Sequence, residues 1–143
     1  MHAIYDVISG GPGQARNWNR FLSLFAPGAR LIPSRHHGGD SASTITVLSP
    51  QDYVARVSPR FEQNGFFEKE VAHTSETYGA ITQDFSTYES RHAATDDKPF
   101  ARGINSFQLF NDGKRWYIVT IYWDAETPAN PIPAKFLSTA QNK

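Results

Sequence analysis

Residues 100–124 read F-A-R-G-I-N-S-F-Q-L-F-N-D-G-K-R-W-Y-I-V-T-I-Y-W-D, two runs rich in aromatic and β-branched residues on either side of Asn111-Asp112-Gly113. Such runs joined by a short Asn/Asp/Gly turn predict a β-hairpin. A type I turn closed by a glycine bulge pairs Phe110 with Lys114 and hence Asn105 with Val119. One face then carries Ala101, Gly103, Asn105, Phe107 and Leu109 beside Tyr117, Val119, Ile121 and Trp123. The other carries Arg102, Ile104, Ser106, Gln108 and Phe110 beside Trp116, Ile118, Thr120 and Tyr122. A two-residue Asp-Gly turn would instead pair Asn105 with Thr120 and turn the last strand over. The bulged version is preferred because it separates polar from apolar better. Its first face, apolar except for Asn105, should look inward.

Working outward, residues 66–78 and 80–93 are two more strand-like runs, separated by Gly79. Upstream the period changes. Ala3, Ile4, Val7 and Ile8 sit at helical spacing and stop at Gly10, so a short first helix of about two turns is expected. Trp18, Phe21, Leu22 and Phe25 make a second helix ending at Pro27-Gly28. Residues 29–33 and 44–48 read as short strands. Ser49-Pro50-Gln51-Asp52 carries a cap hydroxyl, an N1 proline and an acid at N3, and it launches Tyr53, Val54, Val57 and Phe61. Pro59 should kink or restart that third helix. Helices followed by hairpins predict an α+β fold, with a curved antiparallel sheet wrapped around about three N-terminal helices.

With 143 residues the chain fits one domain, 1–143, ending in a proline-containing tail over 127–143. Lys plus Arg and Asp plus Glu balance at 14 each, which removes the basic footprint expected of a nucleic-acid or anionic-membrane binder. The absence of Cys excludes disulfides and thiolate chemistry. No apolar run approaches a membrane span and no leader pattern opens the chain, so a cytoplasmic protein is expected. No phosphate loop, dinucleotide fingerprint or nucleophile elbow is present, and no cofactor is expected. His36-His37 beside Asp40 invites a metal, yet adjacent side chains rarely point at one ion, so no metal is assigned.

The chain resembles the nuclear transport factor 2-like superfamily, the cone-shaped, cystatin-like fold that includes ketosteroid isomerases and SnoaL-like polyketide cyclases. The resemblance rests on Tyr5-Asp6-Val7-Ile8-Ser9-Gly10, on the helix from Trp18 leading to Pro27-Gly28-Ala29-Arg30-Leu31, on the strand meander and on Gly103-Ile104-Asn105-Ser106-Phe107. Tyr122-Trp123-Asp124-Ala125-Glu126 with Asn130-Pro131-Ile132-Pro133 is similar to a bacterial subgroup of these proteins. The resemblance implies that the isomerases' carboxylate base would fall in Arg30-Leu31-Ile32-Pro33, where no acid stands. Their oxyanion-hole acid is replaced by Asn105, their helix-borne tyrosine falls near Tyr5, and their pocket tryptophan is Trp123.

The expected function is therefore binding of a small apolar or aromatic ligand in the cone, with Asn105, Trp123, Phe107, Trp18, Phe21 and Tyr5 around it. The alternative is a cyclase- or isomerase-like acid/base enzyme acting on a carbonyl compound, which needs a carboxylate or histidine within reach of the Asn105 amide. The candidates are Asp84, Tyr88 and His73. Asp84 and Tyr88 qualify if the set Asp84, Ser86, Tyr88, Ser90, His92 faces inward rather than Gln83, Phe85, Thr87, Glu89, Arg91. Glu68 and Glu70 are read as facing away from His73, and Glu68 as a cross-strand partner of Arg102. The apolar outer face, with Phe110, Trp116, Ile118 and Tyr122, is expected to form a homodimer.

Overall fold

The computed structural model describes residues 1–36 and 42–138. Three helices, α1 (His2–Ile8), α2 (Trp18–Ser23) and α3 (Pro50–Asn64), pack into the concave side of a six-stranded sheet of order β2-β1-β6-β5-β4-β3. The strands are β1 (Phe25–Arg35), β2 (Thr44–Ile45), β3 (Phe67–Tyr78), β4 (Ile81–Arg91), β5 (Ala101–Asn111) and β6 (Trp116–Ala125). The α+β class and the four-strand meander are as the sequence predicts. Among the described residues, no helix is long and apolar enough to cross a membrane.

Local chemistry sets the helix ends. Asn17 caps α2 by accepting from the Arg20 amide at 2.9 Å. Ser49 and Asp52 form a reciprocal capping box at α3, with Pro50 in the first turn. Pro59 neither ends nor restarts α3, which runs unbroken to Asn64. Helix α2 stops at Ser23, and Phe25, Pro27 and Gly28 belong to β1, an 11-residue strand where residues 29–33 alone were expected. Gly28 takes φ of 75°, a conformation glycine adopts freely. The second predicted strand shrinks to Thr44–Ile45, with Leu48 adding one bridge to Leu31.

Three findings correct the predicted sheet. First, β1 runs parallel to β6 (Leu31 opposite Ile121), so the sheet is mixed. Second, the last hairpin closes by pairing Asn111 with Trp116 and Phe110 with Tyr117, and Asn105 faces Trp123 rather than Val119. That slip is even-numbered, so Asn105, Phe107, Ile121 and Trp123 stay on one face. A bulge at Val119 then turns the strand over at its start, so Ile118 lies buried in the core opposite Leu109, not on the outer face. Third, a bulge at Val71 lets Glu70 pair with Tyr88 and Ala72 with Thr87. It brings Glu68, Glu70 and His73 to the same side, against the alternation read from sequence.

The core joins Ile4, Tyr5, Ile8, Phe21, Phe25, Leu31, Val57, Phe61, Phe107, Ile118 and Ile121. Arg16 closes the helical end. Its buried guanidinium donates to the carbonyls of Ile8, Gly10, Gly11, Gln14 and Phe66, tying the loop after α1 to the start of β3. On the convex side the tail folds back. A short 3-10 helix, Ala134–Phe136, sets the Phe136 ring 5.6 Å from Phe85, and its carbonyl accepts from the Thr87 hydroxyl at 2.5 Å.

Candidate active site

The concave face of β3 to β6 and the three helices enclose a cavity of about 240 Å³, at the small end of ligand pockets. Its walls are mostly apolar: Ile4, Ile8, Phe21, Leu31, Val57, Phe61, Phe66, Phe100, Phe107, Ile121 and Trp123 line it. Its polar groups are Tyr5, Tyr53, Glu68, Tyr88, Ser90 and Asn105, and no Lys, Arg or His is among the lining residues. A wall with one acid and no base of the Lys/Arg/His kind disfavours an anionic ligand.

Glu68 is the residue that sequence reasoning missed. The Val71 bulge keeps it pointing inward, where it accepts from the Ser90 hydroxyl at 2.8 Å and from Asn105 Nδ2 at 3.5 Å. Burial in this apolar surround pushes its carboxyl up to about 7, against the lowering effect of those two donors. Among the described residues it has no cationic partner: Arg102, the partner expected from sequence, instead pairs with Glu126 at 2.9 Å. The one available signal was position, since Glu68 follows Phe66-Phe67 at the cavity end of β3.

Asn105 is buried between these groups. Its Nδ2 also donates to the Tyr5 hydroxyl at 3.1 Å, and that hydroxyl stands 2.6 Å from Ser86 Oγ. Burial holds Tyr5, Tyr53 and Tyr88 above the ordinary phenol range, with Glu68 adding to the effect on each. All three are therefore neutral donors near pH 7. The hydroxyls of Tyr53 and Tyr88 have no hydrogen-bond partner among the described residues, which leaves them free to donate to a ligand. Tyr88 lies against Gly103 of the neighbouring strand, where a Cβ would overlap its hydroxyl and the Asp124 carbonyl.

Strand β4 presents Asp84, Ser86, Tyr88 and Ser90 inward, all buried, so the open question of its parity resolves to that set. Of the residues singled out by sequence, Tyr5, Phe21, Tyr88, Asn105, Phe107 and Trp123 line the cavity together. Trp18 packs behind it, 5.5 Å from Phe21 and 6.4 Å from Phe61, with its buried indole N–H unpartnered among the described residues. Asp84 and His73 also lie outside the wall. Asp84 accepts from Ser75, and burial raises its carboxyl above the usual range. His73 Nδ1 is 3.0 Å from Glu70 Oε1. His36 meets Asp124 at 2.7 Å, while His37 and Asp40 fall outside the described residues. Among the described residues no group of three His, Asp or Glu side chains converges as a metal site.

No family model and no curated protein matches the sequence. Solved structures do match in fold. A cystatin-like protein of unknown function from Nostoc punctiforme superposes with a TM-score of 0.65 at 8% identity, covering 89% of this chain and 86% of that one. An NTF-2 like protein of unknown function from Silicibacter pomeroyi gives 0.57 at 13%, covering 87% and 88%. The yeast UBP3-associated protein BRE5 gives 0.59 at 12%, covering 88% and 90%. The fold is thus that of the nuclear transport factor 2-like and cystatin-like proteins. At these identities the likeness carries architecture and not activity.

Proposed function

We propose that the protein is an acid/base enzyme acting on a small, uncharged, largely apolar carbonyl compound held in the cone. The observation that carries this reading is Glu68, a carboxyl in the cavity wall, pushed to about 7 and placed beside the Asn105 amide. A group with that midpoint takes and returns a proton near neutral pH, where an ordinary glutamate is too weak a base. In the proposed step Glu68 removes a proton from the carbon next to the carbonyl. The free hydroxyls of Tyr53 and Tyr88 hold the oxygen on which negative charge develops. Glu68 then returns the proton to the enol. The base therefore stands on β3, not on β1, where Arg30 to Pro33 offer no acid.

Deuterium exchange tests this. With 2-tetralone in D2O, the protein should accelerate exchange of the ring protons beside the carbonyl, and Glu68→Gln should lower the rate by about 10²- to 10⁴-fold. Exchange at the buffer rate by the native protein, with the ketone bound, would return the function to simple ligand binding.

We also propose a homodimer through the convex face, in a narrower form than sequence suggests. The tail covers Thr87 and packs on the edge of Phe85, and the exposed apolar residues Phe85, Phe110 and Tyr122 form the contact; Trp116, opposite Asn111, is turned by the Val119 bulge to the side of Ile118 and leaves the expected patch. Light scattering should give twice the chain mass, falling to one chain with Tyr122→Lys. A monomeric native protein would remove the proposal.

A further inference from the structure

A line of hydrogen bonds leaves the cavity wall and reaches the surface. Tyr5 Oη is 2.6 Å from Ser86 Oγ, Ser86 Oγ donates to Glu70 Oε2 at 2.5 Å, and Glu70 Oε1 is 3.0 Å from His73 Nδ1. At the inner end Tyr5 lines the cavity, while at the outer end the His73 side chain is 37% exposed. The links come from α1, β3 and β4. They meet only because the Val71 bulge returns His73 to the side that Glu70 occupies, and because inward-facing Ser86 lies opposite His73 in the β3–β4 pairing.

We infer that Tyr5, Ser86, Glu70 and His73 form a proton relay between the cone and the surface, distinct from the exchange that Glu68 performs on carbon. The direction follows from donor counting. Ser86 has one proton and gives it to Glu70, so the Tyr5 hydroxyl donates to Ser86, and the Asn105 amide occupies an acceptor site on Tyr5. With Glu70 as carboxylate, His73 Nδ1 is a donor to it. In this arrangement every hydroxyl points away from the cavity. A ligand hydroxyl can then give its proton to Tyr5 Oη as the Tyr5 proton passes to Ser86 and the Ser86 proton to Glu70 Oε2. Three O–H bonds break and three form, leaving an alkoxide or enolate in the cone and a neutral carboxyl at Glu70; His73, once its hydrogen has exchanged through solvent to Nε2, accepts the carboxyl proton at Nδ1 and completes the path outward. The reverse shift, starting from protonated Glu70, delivers a proton to the cone.

This inference rests on the acid/base reading only for its purpose, because the relay can be examined with no ligand present. The groups that face it are Glu68 on β3, Asp84 on β4, and the amino terminus of Met1 on the chain leading into α1; Asn105, the neighbour on β5, is neutral. In protein carrying [13Cζ]tyrosine, the Tyr5 signal should move in step with the His73 ring signals as the pH is varied. Ser86→Ala should abolish that movement, Ser86→Thr should keep it, and His73→Gln, at a half-exposed site that leaves the fold intact, should abolish it as well. Glu68→Gln should leave it in place. A Tyr5 signal that stays flat in the native protein, or that follows His73 in Ser86→Ala, overturns the relay. So does a movement lost only in Glu68→Gln, which would assign it to the cavity carboxyl. Loss of tetralone exchange with an intact Tyr5 response would sink the carbonyl reading and leave the relay standing.

Discussion

Asn105 Nδ2 stands 3.5 Å from Glu68 Oε1 although β4 runs between their two strands. The curvature of the sheet folds β3 toward β5 over the small inward residues of β4, so that Ser86 and Ser90 leave room for the contact. One amide thereby reaches both the carboxyl of Glu68 and the hydroxyl of Tyr5.

Asn105→Ala removes a donor that favours ionised Glu68, so the carboxyl should move further up from about 7. Carbon-13 NMR of the Glu68 side chain in the variant should show the higher midpoint. An unchanged or lower midpoint would mean that the amide does not act on the carboxyl.

Glu68 makes folding stability depend on pH in an unusual direction. Unfolded, the group titrates near 4.5, and folded near 7. Between those values the folded chain holds a proton that the unfolded chain has released, so stability falls as pH rises through this window and stays lower above it. The full difference is on the order of 3 kcal/mol, from a shift of about 2.5 units at 1.36 kcal/mol each. Urea titrations between pH 4.5 and 8 should show the decline, and Glu68→Gln should flatten it and be the more stable protein at pH 8.

Arg16 is a third point of leverage. Replacing it with Met strands the buried carbonyl of Ile8 without a donor and leaves that of Gly10 with the Phe66 amide alone, at a cost of about 2–4 kcal/mol. Lys should rescue little, because one ammonium cannot reach donors spread as the guanidinium spreads them. A chemical-denaturation midpoint for Arg16→Lys close to that of the native protein would refute the clasp.

Much of the scaffold was legible because it rests on local rules. Ser49-Pro50-Gln51-Asp52 announced α3 at its first residue, and the aromatic and β-branched runs marked β3 to β6 within a residue or two. Asn105 and Trp123 were placed on one face despite an incorrect register, because the error was even-numbered. The bulges at Val71 and Val119 were not legible. Each inserts an ordinary valine with no glycine to mark it, and packing on both sides of the sheet, not local preference, decides where the alternation skips. That skip hid Glu68 and Glu70 and turned Ile118 inward. The parallel seating of β1 on β6 was hidden likewise, since it depends on contacts 90 residues apart along the chain, such as Leu31 opposite Ile121.

The two ends of the chain meet through the thickness of one strand. Tyr5 is bonded to Ser86 on the concave side, and the carbonyl of Phe136 is bonded to Thr87 on the convex side. Strand β4 therefore has both faces sealed only after Phe136 has been synthesised. Nascent chains stalled before Phe136 should leave the Phe85–Thr87 stretch open to protease, and release of the full chain should close it. Elements made before and after β4, α1 and the 3-10 turn, thus close on the same two adjacent residues.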